Sequence, residues 1–194
     1  GIGMTHADPD QWLKFPGTVG KPLMGILHIC DEQGHQVPIG EIGKIYFESD
    51  HEFHYHNDTK KREKAKHSDH STWSSFGDIG YVNEEGYLFL TDRESFMIIS
   101  GGVNIYPQEI ENLLSMHEDV EDVAVIGIPD EDMGEQVKAY IKLSQNAEIR
   151  TNQAQYFIEY TRSNLAHYKC PKSIDFVDDL PRSDAGKLVK RYLK

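Results

Sequence analysis

The sequence is poor in cysteine, in tryptophan and in positive charge. Its two cysteines, Cys30 and Cys170, stand 140 positions apart, so neither a disulfide framework nor a clustered thiolate metal site is suggested, and a reducing, cytoplasmic setting is the simplest expectation. Apolar runs are short, none approaching the roughly 20 residues that a membrane helix needs. The opening residues Gly1-Ile2-Gly3-Met4-Thr5-His6 have neither the basic region nor the apolar stretch of a secretory signal. They also lack an initiator Met, which leaves a piece of a longer polypeptide as one expectation. Lys and Arg number 20 against 32 Asp and Glu, a net charge of −12, which works against nonspecific attraction to nucleic acid or anionic membranes.

What is present suffices for a core. The chain has 194 residues, 38% hydrophobic and 10% aromatic, enough for one large domain or two small ones. Cut after Glu94, the first part holds 9 basic and 16 acidic residues and the second 11 and 16, so both are acidic, at −7 and −5. The end is the exception: Arg182, Lys187, Lys190, Arg191 and Lys194 meet one acid, Asp184, for a local charge of +4.

Up to about residue 92 short β-rich runs alternate with turn residues, among them Gly25 to Cys30, Lys44 to Phe47, Tyr81-Val82 and Tyr87 to Leu90. Asn83-Glu84-Glu85-Gly86 reads as a hairpin turn, glycine supplying the positive φ. The polar stretch from His51 to Trp73 promises no core. The second half changes period: Pro107 opens a helix with a stripe of Ile110, Leu113 and Leu114, ending near His117. Val123 to Ile128 and Val137 to Leu143 read as strands. Thr151 is positioned to cap a helix carrying Ala154, Phe157, Ile158 and Leu165, with Pro171 closing it and Ile174 to Val177 following as a strand. The fold class is α+β: a mostly-β part followed by a small α+β domain with a short sheet and flanking helices.

Histidines are numerous, yet His51, His54 and His56, then His67 and His70, follow no metal-ligand spacing, and a solvated polar loop is the plainer account. Asp130-Glu131-Asp132 reads as a turn. No metal site is expected. Three segments point to chemistry as a set. In Ser75-Phe76-Gly77-Asp78-Ile79-Gly80-Tyr81 glycines let backbone approach a ligand, and Asp78 offers two acceptors suited to paired hydroxyls. Thr91 to Pro107 contains Arg93, an apolar strand and a Gly101-Gly102 loop entering a helix. In Pro181-Arg182-Ser183-Asp184-Ala185-Gly186-Lys187, Gly186 frees a loop that presents Lys187. Taken singly, a turn Asp, a strand-to-helix loop and a basic tail on a solvated helix would explain each.

Asp78, Arg93, the Gly101-Gly102 loop with Asn-Ile-Tyr-Pro-Gln-Glu-Ile-Glu, and the Pro-Arg-Ser-Asp-Ala-Gly-Lys segment, in this order, resemble the adenylate-forming superfamily of acyl-CoA synthetases, luciferases and peptide-synthetase adenylation domains. Longer segments look most like bacterial fatty-acyl or medium-chain acyl-CoA synthetases. The resemblance implies a C-terminal part of a larger enzyme: residues 1–93 as the β-rich, barrel-like end of the large AMP-binding domain, 94–95 as a hinge at Ser95, and 96–194 as the mobile C-terminal domain. The family's Ser/Thr/Gly-rich phosphate loop and its Tyr-Gly-x-Thr-Glu segment have no counterpart here, so by itself the chain is expected to be inactive, with its partner the upstream part of the same polypeptide.

The family reaction joins a carboxylic acid, often fatty, to CoA through an acyl-AMP made from ATP, with magnesium held outside this stretch. By resemblance, Asp78 holds the ribose hydroxyls, Arg93 assists it, Lys187 bridges carboxylate and α-phosphate, and Gly101 and Gly102 line the pantetheine channel after the small domain rotates. Asn104 stands where some relatives carry a phosphate-contacting Arg, Ser95 where the hinge is usually Asp or Lys, with Phe96 next, and His117 near a cation seen in some. Two alternatives stay open: adenylation followed by transfer to a carrier protein, and a stand-alone binding module.

Overall fold

Short apolar runs separated by turn glycines build an antiparallel sheet in the first half. The computed structural model describes residues 3–50, 63 and 65–193, and these form two compact units, Gly1–Ser95 and Phe96–Lys194.

The first unit contains β1 (Met4–His6), α1 (Pro9–Lys14), β2 (Thr18–Met24), β3 (Ile26–Cys30), β4 (Gly43–Glu48), β5 (Trp73–Ser74), β6 (Asp78–Val82) and β7 (Leu88–Arg93). Its seven strands pair antiparallel in the order β1-β2-β7-β6-β4-β3, with β5 also on β4. Register shifts at Met4/Thr5, Thr18/Gly20 and Ile79/Gly80 add twist and curl the sheet, as bulges do. Ile29, Ile45 and Leu88 are buried with Val19, Leu27, Val37, Phe47 and Val82 around them. The β6–β7 turn is as its residues suggest: Gly86 has φ 82° and Asn83 Oδ1 accepts from the Tyr87 amide at 2.9 Å.

One helix is unforeseen. At α1, Asp8 Oδ1 accepts from the Gln11 amide at 2.8 Å and Gln11 Oε1 accepts from the Asp8 amide at 3.1 Å, with Pro9 in the first turn. That is a capping box. It is legible as Asp-Pro-x-Gln, but the six-residue helix buries no side chain, so it has no apolar period to find.

The second unit contains β8 (Ile98–Ser100), β9 (Val103–Ile105), α2 (Pro107–Ser115), β10 (Val120–Asp130), β11 (Gly134–Leu143), α3 (Gln153–Asn164) and β12 (Ser173–Phe176). The sheet runs β10-β11-β8-β9, with β12 parallel on β11. Helix α2 lies against β10, and α3 against β12 and α2. Ile110, Leu114, Val125, Ala139, Ile141 and Phe157 are fully buried between them. The β10–β11 turn is held by Asp130 Oδ1, which accepts from the amides of Asp132 at 3.2 Å and Met133 at 3.0 Å.

Two helix-end expectations are corrected. Asn152, not Thr151, occupies the cap of α3, without a side-chain cap bond. Gln153 Oε1 instead accepts from the Arg150 amide at 2.7 Å, which organises the entry without a hydroxyl. A 3-10 turn at His167–Lys169 separates α3 from Pro171, so the proline does not end the helix. Among the described residues no helix is long and apolar enough to cross a membrane.

Candidate functional site

In the first unit the site is made by strand register. Asp78 begins β6 and Arg93 ends β7, and the hairpin pairs them directly, with Arg93 Nε 3.3 Å from Asp78 Oδ1. Arg93 is 65% and Asp78 29% exposed at the side chain, so the pair adds only about 0–1 kcal/mol to stability. Its other carboxylate oxygen has no protein partner among the described residues. The Glu94 amide donates to Gly77 O at 2.8 Å and Lys44 Nζ meets Glu94 Oε2 at 2.8 Å, which fixes the end of β7.

Gly80 has a different task from the one its motif suggests. A Cβ there would lie 2.2 Å from the Phe89 carbonyl oxygen, so this glycine serves the bulged sheet rather than a ligand. Gly77, with φ 80°, makes the turn before Asp78.

In the second unit Gly101 and Gly102 form the two-residue tip of the β8–β9 hairpin, Ser100 opposite Val103. They are thus a hairpin turn, with a strand between them and α2, rather than a loop entering the helix. Their φ values of 57° and 78° match a type I′ turn, which favours glycine at both positions. The Gly101 amide donates to Met133 O at 2.9 Å, and a Cβ on Gly101 would meet Met133 Cε at 2.3 Å. Gly102 has open space where a Cβ would stand, which leaves its backbone accessible. Asn104 lies in β9 opposite Ile99. Ser95 is exposed and is the last residue of the first unit.

Lys187 sits on a tight loop rather than a solvated helix. The Val189 amide donates to Pro181 O at 2.8 Å, Ser183 to Lys187 O at 2.9 Å and Gly186 to Ser183 O at 2.8 Å, while Gly186 takes φ 75°. Lys187 is exposed, and its ammonium has no partner among the described residues. The loop is tied at both ends. Arg182 pairs with Asp122 of β10 and donates to Gly186 O. Lys190, 7% exposed, places Nζ 2.7 Å from Glu111 Oε1 of α2. So the +4 tail is not a free positive patch: two of its charges are neutralised by acids of the same unit. Sequence reasoning missed Glu111, Asp122 and the burial of Lys190, since a Lys-Leu-Val-Lys-Arg run looks wholly solvated.

Four of the described histidines, His28, His67, His70 and His117, are held by neighbouring rings or hydrogen bonds, whereas His6, His35 and His167 are exposed. His67 Nδ1 accepts from the Asp69 amide at 3.1 Å and Nε2 lies 2.8 Å from Gly34 O. His70 and His28 stack on Trp73, at 4.0 and 3.7 Å between centroids. His117 bonds Tyr156 Oη at 2.9 Å within an aromatic cluster. His51, His54 and His56 lie outside the described residues. Among the described residues no group of three or more His, Cys, Asp or Glu is gathered to hold a metal.

Comparison with known proteins adds kinship. Residues 109–187 match the family model of the AMP-binding enzyme C-terminal domain. A 2-succinylbenzoate–CoA ligase of Geobacillus sp. (strain WCH70) is 36% identical over 96% of this chain and 37% of its own. A long-chain-fatty-acid–CoA ligase of Bacillus subtilis (strain 168) is 34% identical over 100% of this chain and 35% of its own. The chain therefore spans little more than a third of these relatives. Among solved structures, o-succinylbenzoate CoA synthetase from Bacillus subtilis in complex with its acyl-adenylate intermediate superposes with a TM-score of 0.83 at 31% identity, over 98% of this chain and 38% of that one. An amide bond synthetase from Marinactinospora thermotolerans gives 0.80 at 29% identity, over 95% and 38%.

Proposed function

Because the chain belongs to the adenylate-forming superfamily, with residues 109–187 in its AMP-binding enzyme C-terminal domain, we propose that it is the C-terminal portion of an ATP-dependent acyl-CoA ligase acting on a fatty or medium-chain acid. In this reading residues 1–93 complete the large nucleotide-binding domain, Ser95 lies in the hinge, and 96–194 form the mobile domain. A carboxylate oxygen attacks the α-phosphate of ATP, and pyrophosphate leaves. The CoA thiol then loses its proton and attacks the acyl carbon, and AMP leaves.

Lys187 carries the reading. An exposed ammonium with no ion-pair partner among the described residues, held at a hydrogen-bonded loop tip, suits a group that must neutralise negative charge as carboxylate meets phosphate, the kind of preorganised charge that stabilises a phosphoryl-transfer transition state. Asp78, with one carboxylate oxygen on Arg93 and no hydrogen bond to the other among the described residues, suits two vicinal ribose hydroxyls. The accessible backbone at Gly102 suits a thin pantetheine arm. The fatty assignment draws support from the long-chain-fatty-acid–CoA ligase relative.

The test is thioester formation by the full-length ligase over a panel of acids with ATP and CoA. Product with fatty or medium-chain acids supports the reading. Turnover of 2-succinylbenzoate alone overturns the acid assignment. The amide bond synthetase likeness favours one second reading, adenylation with a different acceptor. Adenylate formation with CoA inert and an amine or a carrier-protein thiol accepted would establish it.

A further inference from the structure

Lys187 and Lys190 are three positions apart, yet one is exposed and the other is 7% exposed. A buried ammonium is costly unless it is paired and hydrogen-bonded. Lys190 is paired on two sides. Its Nζ lies 2.7 Å from Glu111 Oε1 and 5.0 Å from the centroid of the Phe96 ring. Glu111, itself 6% exposed, also accepts from the Val125 amide at 2.7 Å. β10 is the outer strand of its sheet, so that amide has no strand partner on its open side, and the carboxylate binds strand edge and lysine together.

The loop presenting Lys187 is rooted by this arrangement. Its first stem begins at Leu180, 2% exposed, and its second ends at Lys190. Just beyond, Leu193 O accepts from Tyr140 Oη at 2.9 Å. The turn bonds between Pro181 and Val189 fix the loop's shape, but only its roots fix where that shape sits on the domain. Phe96, against which Lys190 packs, immediately follows Ser95.

We propose that the buried Lys190–Glu111 pair is a positioning device for the reactive lysine: it sets the place of the Lys187 loop on α2 and β10 and joins it to the segment that follows the hinge. This rests on the reading of Lys187 as the adenylation lysine. Neither Lys190 nor Glu111 touches substrate. Their effect falls on the half-reaction that uses Lys187 and spares the one that does not.

The experiment measures the two halves separately in the full-length ligase: acid-dependent ATP–pyrophosphate exchange, and thioester formation from supplied acyl-adenylate and CoA. Two variants are used, Lys190→Met, and Lys190→Met with Glu111→Gln, in which no charge is left buried alone and the Val125 amide keeps an acceptor. Exchange is expected to fall on the order of 10- to 100-fold in both, as misplacing a catalytic group does, with thioester formation held within about twofold. Lys190→Arg, which keeps the pair, is expected to recover most of the exchange rate.

Undiminished exchange in both variants overturns the inference. So does a parallel fall of both halves, the signature of a merely structural residue. Lys187→Ala separates the two levels of argument. If it keeps full exchange, the reading of Lys187 fails and the inference with it. If it loses exchange while the Lys190 variants keep theirs, the inference alone fails.

Discussion

Lys187 and Lys190 show how little residue type says about residue role. The first is exposed, and its ammonium makes no hydrogen bond or ion pair among the described residues, so Lys187→Ala should leave stability within about 0.5 kcal/mol while adenylate formation falls on the order of 100-fold or more. Denaturant unfolding and pyrophosphate exchange read the two effects independently. For Lys190→Met the stability result is the opposite: it strands the Glu111 carboxylate in the interior and should cost about 3–5 kcal/mol, seen as a lower denaturation midpoint. Adding Glu111→Gln should return most of that loss, since no unpaired buried charge then remains. The difference was not legible in the sequence because Glu111 precedes Lys190 by 79 positions. Asp122, the partner of Arg182, is 60 positions away.

At the scale of elements, the Gly101-Gly102 hairpin was legible only in part. Its glycines are conspicuous, but strands of three residues are too short to show an alternating period, so a loop leading into α2 was the natural expectation. The hairpin form makes a prediction. Gly102 has φ 78° with room for a methyl group, so Gly102→Ala should cost about 1–2 kcal/mol through backbone strain alone, measurable by thermal or denaturant unfolding. If Gly102 faces the thiol arm as proposed, that variant slows thioester formation from acyl-adenylate and leaves pyrophosphate exchange near wild type. The strand-rich first half and the longer helices were readable from composition and period, whereas α1 was hidden because it buries nothing.

Over the whole molecule, acidity has a consequence for stability. Hydrogen bonds from the Arg150 side chain and the Glu148 amide hold the Asp119 carboxyl below its ordinary range, and the Met133 amide and the Lys172 side chain do the same for Asp130. A depressed carboxyl stabilises the fold fully above its unfolded pKa of about 3.9 and loses that contribution as pH falls through the folded value. Unfolding midpoints should therefore hold near neutral pH and decline below about pH 4, and Asp119→Asn should flatten part of that decline. The second unit has its own closed core of Ile110, Leu114, Val125, Ile141 and Phe157. Residues 96–194 expressed alone are expected to unfold in one cooperative transition, tested by calorimetry. The sequence by itself determined the α+β class, the β-rich first half and the kinship, because period, turn chemistry and motif order are local properties of a chain. Only the tertiary structure decided that Asp78 meets Arg93 across a hairpin, that Gly80 serves the sheet, and that of two neighbouring lysines one is presented and one is buried. These depend on which distant residues come to share a strand register or a carboxylate, and packing settles that where spacing along the chain does not.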